Sequence, residues 1–187
     1  MVLADESDEQ LMQRVCSGER DAMSVLVRRL ADQLITFLRR LGLNPTTAEE
    51  TFQEVFFAVW KHRRRYLPSR RFKPWVLGIA ANKGREALRR RPPERLQDDD
   101  PRWTGAKAGS EPVELLIQSE TNRIVETGIA RLPVKQREVV VMRLFNDMPY
   151  EEIALALNRS ESTVRTHMSL GLTALREYLE PRLQTND

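Results

Sequence analysis

Residues 150–165 read Tyr150-Glu151-Glu152-Ile153-Ala154-Leu155-Ala156-Leu157-Asn158-Arg159-Ser160-Glu161-Ser162-Thr163-Val164-Arg165. A short helical pattern, a turn at Asn158-Arg159-Ser160 and the start of a longer helix define a helix-turn-helix. Ile153 and Ala154 face Val164 and Met168 across the corner, and the small Ala154 permits close approach. Leu172 and Leu175 are expected to continue the buried stripe of the last helix, which spans 161–179. Ser162, Thr166, Ser169 and Thr173 then project from its far side, with Arg165 at the border. Ser162, Thr163, Arg165, Thr166, His167 and Ser169 are the candidate contacts to base edges and phosphates if this helix enters a major groove. An ordinary helical corner that touches nothing is the plainer alternative.

Working back toward the N-terminus, Lys135 to Phe145 forms a helix carrying Val139, Val140 and Leu144. Before it, Leu115, Leu116, Ser119, Ile124, Ile129 and Leu132 suggest one long helix from Val113 that ends at Pro133. Residues 92–112 hold Pro92-Pro93, Asp98-Asp99-Asp100, an isolated Trp103 and scattered Gly, Ser and Pro. They read as a linker between two units. The first unit is helical too. Leu11, Met12 and Val15 mark one helix, and Ala22, Leu26, Leu30 and Leu34 a second. Thr46 or Thr47 can cap a third, whose stripe is Phe52, Val55, Phe56, Val59 and Trp60. Its other surface is acidic. A loop at Pro68-Ser69-Arg70-Arg71 precedes a helix from Trp75 to Arg91. The fold class is all-α: two small helical domains joined by a flexible linker, 1–91 and 113–187, the second a helix-turn-helix.

Charge is distributed unevenly. Lys61 to Arg91 contains twelve Lys or Arg against Glu86 alone, a net +11 in a chain of net +3. A cationic segment in an otherwise acidic chain marks a localised polyanion site. Tyr66, Phe72 and Trp75 lie among these cations, the combination that stacks bases and neutralises phosphates of a single strand. A solvated basic face or a localisation signal is the alternative reading.

The 187 residues contain one cysteine, so no internal disulfide or multi-cysteine zinc site is available. Cys16 reads as a small core residue. No apolar run approaches a membrane span, and the acidic start lacks the order of a secretory signal. A cytoplasmic setting is expected. His62 and His167 stand apart, so no metal site is expected. No catalytic constellation, phosphate-cradling loop or cofactor motif is evident. The expectation is a non-enzyme without cofactor, small-molecule substrate or membrane insertion.

The chain resembles the extracytoplasmic-function sigma factors, small two-domain promoter-specificity subunits of bacterial RNA polymerase. The likeness rests on Asp8-Glu9-Gln10-Leu11 with Arg14 and Gly18-Glu19, on Ala48 to Phe56, on Phe72-Lys73-Pro74-Trp75-Val76-Leu77-Gly78-Ile79-Ala80-Ala81-Asn82, on Leu132-Pro133 with Gln136-Arg137-Glu138-Val139, and on Tyr150 to Ala154. It implies that helix 48–60 docks on the clamp of core polymerase through Glu49, Glu50, Gln53 and Glu54. It implies that the segment 66–91 recognises and melts the minus-ten element through Tyr66, Arg70, Arg71, Phe72, Lys73, Trp75, Asn82, Lys83, Arg85, Arg89 and Arg90. Asn82 matches the position that helps hold a flipped base, and the loop 68–73 forms part of that pocket. The helix-turn-helix would bind the duplex minus-thirty-five element. An anti-sigma factor is a further partner that the family implies.

A linker of this length spans at most roughly 70 Å, and two DNA elements one and a half turns apart lie roughly 55 Å from each other, so one chain reaches both. The acidic triplet resembles linkers that enter the polymerase channels; a merely soluble linker fits equally. The likeness weakens in the last helix, where Leu170 and Leu172 stand at commonly basic positions. Residues 113–187 hold nine basic and eleven acidic residues, so this unit should bind DNA weakly alone. Leu170 is expected to make an apolar contact, to a thymine methyl or a protein. Two other readings remain open here: a stand-alone helix-turn-helix regulator, and an adaptor that mimics a sigma factor.

Overall fold

The computed structural model describes residues 3–90 and 112–183, excepting the side chains of residues 4 and 112–120. Arg91, the acidic triplet and Trp103 lie outside the described residues. Within them the secondary structure is all helical: α1 (Asp8–Cys16), α2 (Arg20–Arg40), α3 (Pro45–His62), a 3-10 turn (Arg63–Arg65), α4 (Phe72–Arg90), α5 (Pro112–Arg131), α6 (Val134–Phe145), α7 (Tyr150–Leu157) and α8 (Glu161–Leu183), after a first short 3-10 turn at Leu3–Asp5. No described helix is long and apolar enough to cross a membrane.

Several helix ends follow local chemistry, and one is set by a distant residue. Ser7 and Gln10 form a capping box at α1, with exchanged bonds of 2.8 and 3.2 Å. Asn44, rather than Thr46 or Thr47, caps α3: its Oδ1 accepts from Thr47 N at 2.8 Å, and Pro45 fills the first turn. Gly18 and Gly42 turn the chain after α1 and α2 with φ of +96° and +102°. The distant case is α4. It begins at Phe72, ahead of the expected Trp75, where Glu9 Oε1 of α1 accepts from Phe72 N at 3.0 Å.

Helices α1–α4 pack around Leu11, Leu26, Leu34, Phe37, Val55 and Phe72, all buried. Helices α5–α8 bury Ile129, Val140, Met142, Ile153, Val164 and Leu175. Each such side chain contributes about 1.5–3 kcal/mol of transfer free energy. Cys16 is half-buried instead of sitting in the core; its Sγ donates to the Arg63 carbonyl at 3.1 Å, and burial pushes its pKa up. The buried stripe of α8 is Val164, Met168, Gly171 and Leu175. Leu172 is 44% exposed, which corrects the sequence reading that placed it in the stripe. Gly171 takes the packed position because a Cβ there would meet Val140 Cγ2 at 2.7 Å.

The two bundles lie against each other. Helix α4 packs along α7, and α2 meets α5 and α6. Glycine at 78 lets α4 and α7 approach closely: a Cβ there would lie 2.6 Å from the Ala156 carbonyl oxygen.

Candidate nucleic-acid interface

The cationic segment folds into the end of α3, a 3-10 turn, a loop and α4. Its three aromatics form one cluster. Ring centroids of Tyr66 and Phe72 are 5.9 Å apart, those of Tyr66 and Trp75 5.3 Å, and those of Phe72 and Trp75 5.9 Å. Phe72 and Tyr66 are buried, so neither presents a stacking face; Trp75 alone of the three is part-exposed. This corrects the expectation that all three stack on bases. The buried pair instead fixes the loop. Tyr66 Oη donates to the Arg70 carbonyl at 2.5 Å. Burial, helped by the nearby Glu9 charge, pushes the phenol pKa up to about 12, which keeps it a neutral donor.

Beside this cluster lies a cavity of about 370 Å³. Arg70, Arg71, Trp75 and Asn82 line one side, and Glu152 and Leu155 of α7 the other. A part-exposed indole, an exposed amide and two exposed guanidiniums in one concavity suit a base with its flanking phosphate. Asn82 Oδ1 accepts from Arg85 Nη2. The remaining cations divide. Arg64, Arg65, Arg70 and Arg89 are exposed. Lys83 and Arg90 bond to Glu54 and Glu86 at 3.0–3.7 Å. The Lys83 pKa is raised, chiefly by its hydrogen bond to Glu86.

On α3, Glu49, Glu50 and Gln53 are exposed, while Glu54 is half-buried and turned onto Lys83 and Arg90 of α4. Phe57 joins this acidic face at 69% exposure. Sequence reading passed over it, although an aromatic off the apolar stripe of α3 was the available signal. Two other residues were missed because their roles depend on packing. Glu138 of α6 is fully buried between Arg85 at 2.5 Å and Arg159 at 3.1 Å. Glu152 meets Arg71 at 3.1 Å.

On α8, Ser162, Thr163, Arg165, Thr166 and Ser169 share an exposed surface, and His167 is half-buried. Ser160 caps the helix, its Oγ accepting from Thr163 N at 3.1 Å. Arg165 pairs with Glu161 and lies 4.5 Å over the Tyr150 ring, so its charge is already partly compensated. Leu170 is 51% exposed, consistent with availability for an apolar contact. Burial depresses the His167 pKa, and the Arg159 and Lys135 charges lower it further. A depressed imidazole pKa contributes stability above the unfolded value, about 6.5, which is lost as pH falls through the lower folded value. Melting curves at about pH 7.5 and about pH 5.5 should therefore show a larger loss for the native chain than for His167→Gln. Equal losses would contradict this.

Two family models match in order along the chain. Sigma-70 region 2 covers residues 26–92 and sigma-70 region 4 covers residues 122–175. The RNA polymerase sigma factor CarQ of Myxococcus xanthus is 31% identical over 169 residues, covering 90% of this chain and 95% of that protein. The ECF RNA polymerase sigma factor RpoE of Cereibacter sphaeroides is 28% identical, with 94% and 97% covered. A solved structure of CnrH in complex with the cytosolic domain of CnrY superposes with a TM-score of 0.68 at 24% identity, covering 94% of this chain and 99% of that one.

Proposed function

This chain belongs to the extracytoplasmic-function RNA polymerase sigma factors, and from that premise we propose how its surfaces divide the work of transcription initiation. A sigma factor binds core RNA polymerase and promoter DNA. A stand-alone helix-turn-helix regulator would account for residues 122–175 but not for the region 2 match over 26–92.

Residues 1–91 form the unit that docks on polymerase and opens the minus-ten element. Residues 113–187 form the unit that reads the minus-thirty-five duplex, and 92–112 connect them. The observation that carries the assignment is the cavity at the start of α4, where Trp75, Asn82, Arg70 and Arg71 converge. Trp75 stacks on an unpaired base, Asn82 bonds its edge, and the arginines neutralise the backbone. Extruding a base costs a few kcal/mol, so contacts of each kind are needed together. Ser162, Thr163, Arg165, Thr166, His167 and Ser169 meet the duplex element. The chain performs no chemistry of its own and acts in the cytoplasm, where the polymerase works. An anti-sigma factor holds it inactive until its inducing signal arrives.

Polymerase docking falls to the exposed face of α3. Glu49, Glu50, Gln53 and Glu54 supply acidic and amide groups, and Phe57 adds an apolar anchor among them. An exposed aromatic ringed by polar residues is a common interface centre. Phe57→Ser should weaken core binding about tenfold, about 1.4 kcal/mol, without lowering the melting temperature. A pull-down titration with core polymerase measures this, and unchanged affinity would remove Phe57 from the docking face. Run-off transcription with purified core on a random promoter library tests the whole reading. No initiation above that of core alone would reject it.

A further inference from the structure

The outward face of α8 lacks the groups that read three of the four bases. In the major groove a guanine is met by an arginine or lysine forked on its O6 and N7, an adenine by an asparagine or glutamine, and a cytosine by a carboxylate. Between Glu161 and Leu175 the helix carries one such cation, Arg165. That guanidinium is paired with Glu161 and lies over the Tyr150 ring, which also occupies the Glu161 carboxylate. Helix α8 contains no asparagine or glutamine.

Methyl groups stand in their place. The Thr166 hydroxyl donates back to the Ser162 carbonyl at 3.0 Å, and the Thr173 hydroxyl to the Ser169 carbonyl at 3.1 Å. Both hydroxyl protons are committed within the helix, so each threonine offers a base edge its methyl and an acceptor oxygen. Leu170 stands between them at 51% exposure. Positions 166, 170 and 173 recur at i, i+4 and i+7 and share one side of the helix. The buried Val164, Met168, Gly171 and Leu175 form the other side.

We infer that α8 reads its duplex element through thymine methyls: Leu170, flanked by Thr166 and Thr173, packs on the C5-methyl groups of A·T pairs, and no guanine is selected at those steps. The inference rests on the assignment of α8 to the minus-thirty-five duplex. Thymine alone presents an apolar group in the major groove, and an alkyl side chain is its partner. The spacing agrees. Thr166 and Leu170 are separated by about 6 Å along the axis, close to two base-pair steps of about 3.4 Å each. Two thymines two steps apart can therefore be met together.

The test is selection from random duplex DNA, run with the full chain alone at low salt and with the full chain bound to core polymerase. The selected thymines are then exchanged for deoxyuridine, which keeps every hydrogen-bonding group and lacks only the methyl. Thymines should be enriched, and each exchange at the α8 contact should weaken binding of the native chain about three- to fivefold, as expected for one methyl withdrawn from an apolar contact. Leu170→Ala, a truncation at an exposed position, should bind the thymine and uracil duplexes alike at the step Leu170 reads. Leu170→Arg should enrich guanine at that step. The inference is overturned if neither arm enriches any sequence, if the native chain enriches guanine there, or if uracil exchange costs the native chain nothing or costs Leu170→Ala as much. Failure of the sigma reading looks different: thymine enrichment by the chain alone, with no initiation by core on any template, would keep the methyl readout and reject that assignment.

Discussion

Asn82→Ala should slow promoter opening about ten- to a hundredfold while core binding stays within about twofold. The range follows from losing about 1–3 kcal/mol of contact to an extruded base. Asn82 is an exposed side chain on α4 at the edge of the cavity. Its removal therefore spares the fold. The face of α3 that carries Glu50, Gln53 and Phe57 is formed by other residues, so docking should persist. Asn82→Ala also frees Arg85 from one partner, but Glu138 still holds that guanidinium. Permanganate reactivity of unpaired thymines reports opening, and a pull-down with core polymerase reports docking. Equal loss of both in a folded variant would refute the assignment of Asn82 to the strand.

Arg137→Met should destabilise the protein by about 3 kcal/mol, a fall in melting temperature of about 6–12 °C for a chain of this size. Arg137 is half-buried overall, yet its guanidinium is enclosed and donates to three carbonyls: Leu41 at 2.7 Å, Leu132 at 2.8 Å, and Ala130. Leu41 ends α2, and Ala130 lies in the last turn of α5. The cation thus joins the negative ends of two helix dipoles. Desolvation lowers its pKa to about 10, which leaves it charged at neutral pH. Methionine keeps the length of the stem but offers no donor, so the carbonyls lose their partner. Replacing a buried ion by an apolar group is sometimes neutral. It is unfavourable here because no other described group donates to these oxygens from the position Arg137 holds. Thermal denaturation followed by circular dichroism decides the matter, and a shift under about 2 °C would contradict it.

The helix-turn-helix was legible because its signals are local. Tyr150 to Leu157 and the start at Glu161 agree with the sequence reading, and Asn158 adopts the left-handed turn, with φ of 51°. Features built by distant partners were not legible. Glu9 meets the start of α4 across 63 positions of sequence, so local cap rules placed that start too late. Tyr66 and Phe72 looked like stacking residues because they lie among cations; only the tertiary packing shows them buried. The helical period placed Leu172 within the stripe of α8, but close packing against Val140 left room only for Gly171. Glu138 gave no sign of its burial, since its neutralising arginines come from α4 and from the helix-turn-helix corner.

The loop between Leu67 and Arg71 is fastened at both ends: Tyr66 bonds the Arg70 carbonyl, and Glu9 holds the amide of Phe72. Between those anchors the side chains are exposed. On the proposed reading, which assigns Arg70 and Arg71 to the strand, exchanging these exposed side chains leaves both anchors in place, so DNA contacts and stability can diverge independently. Paralogous copies of such a chain could acquire separate target genes through a few substitutions in this one exposed stretch.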